Sequence, residues 1–363
     1  MSSSRPLSKK GSLLVTFLGV LLFANNVVVA QDIPGITDAM NSMVAEKNFM
    51  GSVIVTKNDV PIFSEGYGYA NLEWEARNTS HTKFRVGSIT KQITAAAVMQ
   101  LEEAGKLKTT DRLGNYLEEI PDSWQEITLV HLLTHASGIP NLDTLQNFSE
   151  INRYPISPRE AIQLISEVPL LFTPGSDRSY SNMGYTLLGY IIEQVTNQPY
   201  ADYVRQNIFL PLEMLDSGYD SSTEVIKNRA QGYERNSENV LLNAASMDTS
   251  IPYAAGGLYS TTEDLARWNT ALYGGELISN ESLEKMLTPY GELPPPLGFT
   301  GFGTFINEGP YGKRYSNGGV IRGFVSSISY FPESKISVVV LSNTFDFESL
   351  SIGGRLSELA HAE

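Results

Sequence analysis

The sequence predicts an α+β fold, in which one antiparallel sheet is built from N- and C-terminal segments, is flanked by helices, and has a mainly helical region inserted into it. Three observations carry this expectation. Ser52 to Lys57 and Pro61 to Tyr67 are short runs rich in Val, Ile, Phe and Tyr, parted by the turn-prone Asn58-Asp59, which is the pattern of a β-hairpin. Phe324 to Phe331 and Ile336 to Leu341 repeat that pattern near the other end, around Pro332-Glu333-Ser334-Lys335. Between the two hairpins, apolar residues recur at helical spacing.

In chain order, residues 1–30 read as a signal peptide. Arg5, Lys9 and Lys10 form a basic start, Leu13 to Ala24 an apolar run, and Val28-Val29-Ala30 a small-residue end before Gln31. The apolar run is shorter than the roughly 18 residues a bilayer span needs, so cleavage after Ala30 and a periplasmic or secreted mature protein are expected, without stable membrane insertion. Residues 31–363 are then one domain, with 31–85 and about 297–363 forming the sheet region and 86–296 the mainly helical region. Within the latter, Ser88 to Ala104 has a long apolar face stopped by Gly105, and Gly184 to Val195 repeats Leu and Ile at helical spacing. Thr262 to Tyr273 opens on a Thr-x-x-Asp cap-like start and stops at Gly274-Gly275. Pro294-Pro295-Pro296 marks a rigid turn.

Composition excludes some functions. The formal charge is −14, and the leader holds three of the basic residues and no acidic ones, so the remainder is more acidic still and would be repelled by nucleic acid and anionic lipid. There is no cysteine, so an exported chain must rely on an ordinary core and not on disulfides. The oligomeric state is not legible.

The chemistry-bearing candidate is Ser88-Ile89-Thr90-Lys91. Positions three apart share a helix face, so the hydroxyl and the amine can meet, and a lysine in a dry pocket can lose its proton and act as a base toward serine. Ser80-x-x-Lys83 and Ser282-x-x-Lys285 have the same spacing. Context separates them: Ser80 precedes the strand-like Phe84-Arg85-Val86, and Ser282 lies in a short polar helix where Glu281 and Glu284 would hold the lysine charged. Only Ser88 follows a glycine at the first turn of a long apolar helix.

The second element is Tyr180-Ser181-Asn182, before the helix near Gly184. A phenol whose pKa is lowered by a nearby ammonium could shuttle the serine proton, and the asparagine amide could hold a substrate carbonyl and orient the lysine. Tyr69-Ala70-Asn71 and Tyr315-Ser316-Asn317 share the spacing but open no helix. His131 and His135 stand at a zinc-compatible spacing but lack the glutamate of a His-Glu-x-x-His motif, so a structural role is expected and neither metal nor cofactor is. No serine lies in a Gly-x-Ser-x-Gly elbow.

Val86-Gly87-Ser88-Ile89-Thr90-Lys91-Gln92, then Ile127 to Gly138, then Tyr180 to Tyr185, then Ala255 to Thr261 with Asp264-Leu265, resemble the successive signatures of the class C β-lactamase-related serine hydrolases. The resemblance covers about residues 33 to 345 and implies a β-lactamase/transpeptidase-like fold, Ser88 acyl-enzyme chemistry on an amide or ester bond, and a small-molecule or peptide substrate. It implies Ser88, Lys91 and Tyr180 as catalytic residues, with Asn182 as a substrate-binding residue. The family's third motif, Lys-Thr-Gly or His-x-Gly, falls on Asn317-Gly318-Gly319, which the resemblance implies as substrate-binding residues, with Val320 placed to pair its N–H with that of Ser88 as an oxyanion hole. At its first position this chain has Asn317 where the family has a basic residue, so efficient β-lactam turnover is not implied. Asn317 also motivates an alternative, a cell-wall-peptide-binding or penicillin-binding module that is acylated without turnover. Arg322, two residues beyond Val320, could supply the missing positive charge to an anionic substrate group.

Overall fold

The computed structural model describes Met1 and residues 34–362, except positions 296, 346 and 347. Apart from Met1, the expected leader lies outside the described residues. The elements that place the site are, in chain order, helix α1 (Pro34–Lys47), strands β1 (Gly51–Lys57) and β2 (Val60–Tyr67), and helices α2 (Thr90–Glu103), α3 (Asn182–Thr196) and α4 (Thr262–Tyr273). They continue with strands β3 (Gly291–Leu293), β4 (Gly298–Thr300), β5 (Phe305–Gly309), β6 (Gly312–Ile321), β7 (Phe324–Phe331) and β8 (Ile336–Ser342), and helix α5 (Glu348–Ala362).

The strands form one sheet in the order β3-β4-β5-β6-β7-β8-β1-β2, with antiparallel neighbours. The N-terminal hairpin docks on the last strand, with Gly51 opposite Ser342 and Lys57 opposite Ile336. Asn58 and Asp59 turn that hairpin with φ of 51° and 64°, the backbone that a tight two-residue turn demands and that Asn and Asp tolerate.

Strand alternation divides the core in two. Val53 and Val55 of β1, with Val338 and Val340 of β8, pack with Ile36, Met40, Ile352 and Leu356 under α1 and α5. Ile54, Val339 and Leu341 face the other way, into the larger core shared with the helical region. Each fully buried Val or Ile of this kind contributes about 1.5–3 kcal/mol. Helix α2 is buried at every position from Thr90 to Met99, so it runs through the middle of that region and not along a surface.

The structure shifts two expectations. The sheet takes in Gly291–Leu293, and residues 86–296 also hold the short strands Gly218–Tyr219, Tyr233–Arg235, Leu241–Asn243 and Leu258–Ser260. Such short pairings carry too few residues for a periodic pattern to show. At Thr262 the helix start holds, with Thr261 Oγ1 accepting from the Asp264 N–H at 3.2 Å. Asp264 itself turns away, accepting from Asp216 N–H at 2.9 Å and Ser217 Oγ at 2.7 Å.

Candidate active site

Ser88 lies in a single 3-10 turn, Gly87–Ile89, directly before α2 and not in its first α-helical turn. Packing forces this entry. Gly87 takes φ +50°, and a Cβ there would stand 3.0 Å from Val320 N. On the facing strand β6, a Cβ on Gly319 would stand 2.0 Å from Val86 O, closer than any real contact. The glycines therefore let the backbone of β6 lie against the segment that carries Ser88. Strand β5 pairs with β6 only as far as Ser316, opposite Phe305, leaving the stretch beyond it paired with β7 alone.

Lys91 is 1% exposed, and among the described residues its amine has no carboxylate partner. Its Nζ donates to Asn182 Oδ1 at 2.8 Å and Ala255 O at 2.7 Å, and stands 3.1 Å from Ser88 Oγ. Burial holds its pKa well below that of an ordinary lysine. Asn182 Oδ1 and Ala255 O can only accept. A neutral amine, with two N–H bonds and one lone pair, satisfies both and turns its lone pair to Ser88 Oγ.

The Tyr180 hydroxyl donates to Ser88 Oγ at 2.7 Å, while Lys91 Nζ stands 4.8 Å from the centre of the Tyr180 ring. The phenol was expected to be acidified by the ammonium. Instead burial pushes it up to about 12, outweighing the lowering effect of the Ser88 hydrogen bond, so it is a protonated donor at neutral pH. The physical reason is shared: the burial that disfavours a phenolate also disfavours the ammonium that would have stabilised it.

Two residues hold this tyrosine that sequence reasoning set aside or missed. His135 stacks on Tyr180 with ring centres 4.5 Å apart. Its Nδ1 accepts from Ser181 N–H at 3.1 Å and its carbonyl from Ser179 N–H at 3.0 Å, so it brackets Tyr180 from both sides. Burial, with Lys91 adding to it, lowers its pKa to about 3, which keeps the ring neutral. Asn141 Oδ1 accepts from Asn182 N–H at 2.6 Å and Met183 N–H at 3.3 Å, and its Nδ2 donates to Tyr180 O at 3.0 Å. It thus caps the first turn of α3 and ties Tyr180 to it. His131 forms a local cap, with its Nδ1 accepting from Thr128 N–H at 3.3 Å.

The third-motif residues divide. Gly318, Val320 and Arg322 line the same cleft as Ser88, Tyr180 and Asn182. Asn317 also borders it, but its Nδ2 donates to Gly303 O at 2.6 Å and its Oδ1 accepts from Gly318 N–H at 2.8 Å. That amide is therefore committed to backbone and pins the 303 loop to β6, in contrast to the substrate contact expected of it. Arg322 stands 3.8 Å from Glu234 Oε1, so its charge already faces a carboxylate.

The decoy tetrads are ion-paired: Lys83 Nζ lies 2.9 Å from Asp216, and Lys285 Nζ 2.8 Å from Glu102. The partner of Lys285 is Glu102 of α2, in place of its sequence neighbours Glu281 and Glu284. Tyr315 is held by stacking on Tyr273, with ring centres 5.2 Å apart.

The cleft measures about 870 Å³. Leu142, Phe148, Met183, Met247 and Ile251 are among its apolar lining, the last two from the stretch 232–255 whose pattern alone says nothing. What decides the family is the match of residues 33–362 to the description Beta-lactamase. This chain belongs to the β-lactamase family. Its relatives include penicillin-binding-like proteins, and family members are serine hydrolases. The PbpX protein of Bacillus subtilis is 32% identical over 304 residues, spanning 84% of this chain and 73% of that protein. The octameric penicillin-binding protein homologue from Pyrococcus abyssi matches with a TM-score of 0.82 at 31% identity, covering 92% of this chain and 78% of that one. The D-amino acid amidase from Ochrobactrum anthropi SV3, complexed with D-phenylalanine, matches with a TM-score of 0.78 at 21% identity over 90% of this chain and 98% of that one, which shows a shared fold.

Proposed function

We propose that this chain is an exported serine hydrolase that cleaves amide or ester bonds through an acyl-enzyme on Ser88. The carrying observation is the three-way setting of Lys91, whose two accept-only partners leave a lone pair for the Ser88 hydroxyl. The Ser88 proton passes to Lys91 as Oγ bonds to the substrate carbonyl carbon, and the carbonyl electrons move onto oxygen. The N–H groups of Ser88 and Val320 receive that oxyanion, each donor supplying about 3–4 kcal/mol of transition-state stabilisation. As the bond to the leaving group breaks, the leaving group takes a proton from the Tyr180 hydroxyl, and the proton held by Lys91 restores it. Water, deprotonated by the same pair, then hydrolyses the ester and frees Ser88.

Export rests on the leader-like residues 1–30 and points to a periplasmic or secreted location. The apolar lining fits an acyl donor with a hydrophobic group beside the scissile bond. The D-amino acid amidase with the same fold makes amides of D-amino acids and D-Ala-type peptides the first substrates to try, alongside simple esters.

A hydrolysis panel tests this: p-nitrophenyl esters, a chromogenic cephalosporin, and D-Ala-D-Ala peptides with wild type and Ser88→Ala. Continuing turnover by wild type and none by Ser88→Ala is expected. A single stoichiometric burst would instead support the alternative suggested by Asn317, a module acylated once without turnover.

A further inference from the structure

Among the residues lining the cleft, two are cations, and they differ in their surroundings. Arg322 faces Glu234. Arg314 faces no carboxylate within ion-pair distance among the described residues, and its Nε is buried without a hydrogen-bond partner. Burial lowers its pKa, and no neighbouring acid offsets that effect. A half-buried guanidinium left unpaired is costly, because its five donors are fixed in direction and it stays charged at any working pH. In a chain with 40 acidic and 26 basic residues, such a residue stands out.

Its position gives the vacant charge a use. Arg314, Ser316, Gly318 and Val320 alternate onto one face of β6. Asn307 lies opposite Arg314, and Ser329 lies opposite Ser316. All of these line the cleft that also holds Ser88. Arg314 is six residues from Val320 in sequence, and at about 3.4 Å per residue that places it about 20 Å from the proposed oxyanion donor. The lane between them carries Ser316, Ser329 and Ser327 on β6 and β7, with Phe305 of β5 opposite Ser316.

We infer that Arg314, with Asn307 and Ser316 beside it, forms a carboxylate-binding subsite for an extended, peptide-length substrate whose scissile carbonyl sits at Ser88. This rests on the acyl-enzyme reading for the carbonyl end only. The span corresponds to about six extended residues at roughly 3.3 Å each. A planar guanidinium binds a carboxylate through two parallel hydrogen bonds, which fixes both the position and the orientation of the far end.

The test uses matched linear esters of the full length, one ending in a carboxylate and one in a carboxamide, and a short pair ending about 7 Å from the ester. For wild type, the long carboxylate should exceed its carboxamide about tenfold in kcat/KM, through KM, and the short pair should show no such preference. In Arg314→Gln the long-pair ratio should fall to about one, and Arg314→Lys should keep part of it. High salt should shrink the wild-type ratio. The same pairs are also titrated against Ser88→Ala and against Ser88→Ala/Arg314→Gln by fluorescence anisotropy, so the subsite is read even where no ester turns over. Absence of both a Ser88-dependent burst and turnover of the esters by wild type would defeat the acyl-enzyme reading. Equal binding of carboxylate and carboxamide by Ser88→Ala, or a preference that survives Arg314→Gln, would defeat the subsite.

Discussion

Replacing Gly319 by alanine isolates the contact that brings β6 against Ser88. The added Cβ would start 2.0 Å from Val86 O, whereas real Cβ contacts hold at least 3.0 Å, so the two backbones must part by about 1 Å. Val320 N follows Gly319 directly, and it is one of the two proposed oxyanion donors. A displacement of about 1 Å at a reacting group costs about 10²-fold, and losing one donor altogether costs about 10²–10³-fold. The expected result is therefore a kcat for a p-nitrophenyl ester lower by about 10²-fold or more. Gly309→Ala is the control, because a Cβ there meets nothing within 4 Å and lies in the same sheet. Circular dichroism melts of both variants separate a shifted site from an unfolded one. A folded Gly319→Ala protein that keeps more than a tenth of wild-type kcat would refute the placement of the oxyanion hole.

Two further expectations concern the residues that hold Tyr180. His135 has a folded-state pKa of about 3 against an ordinary 6.5, so the unfolded chain takes up a proton that the folded one refuses. The stability this gives is complete above about pH 6.5 and is lost as pH falls toward 3, by a few kcal/mol in all, so the melting temperature of His135→Gln should fall less between pH 7 and pH 4 than that of wild type. Asn141→Ala should destabilise by about 1 kcal/mol through the orphaned N–H groups of α3. It should also lower kcat more than it raises KM, because it loosens Tyr180 and Asn182 together; a loss confined to KM would count against that role.

The sheet was legible because its strands are long and their residues alternate. The two hairpins of Val, Ile and aromatic residues with Asn58-Asp59 and Pro332 to Lys335 between them fall where β1, β2, β7 and β8 stand. The short strands between Gly218 and Ser260 were not, since two or three residues show no period. At the site, spacing gave three equal Ser-x-x-Lys tetrads, and what separates them is long-range: Asp216 and Glu102 reach two of the lysines, and no carboxylate among the described residues reaches Lys91. Asn141 acts on backbone groups some forty residues away, so no motif could announce it, and Ala255 opens the signature Ala255 to Thr261, whose residue types do not show that its carbonyl holds Lys91. The Tyr180 expectation failed in sign because a list of neighbouring charges carries no information about burial, and here burial wins.

The central claim is that Ser88 is acylated with Lys91 as its base. It is tested most directly by following a fluorophosphonate probe onto the protein by intact mass, locating the adduct by peptide mapping, and repeating the rate measurement across pH with Lys91→Ala. The account predicts one adduct, on Ser88, absent from Ser88→Ala and formed about 10²-fold or more slowly in Lys91→Ala. The wild-type rate should rise with pH as Lys91 loses its proton, with that limb set well below the 10.5 of an ordinary lysine. An adduct on another residue, or wild-type labelling of Lys91→Ala, would contradict it.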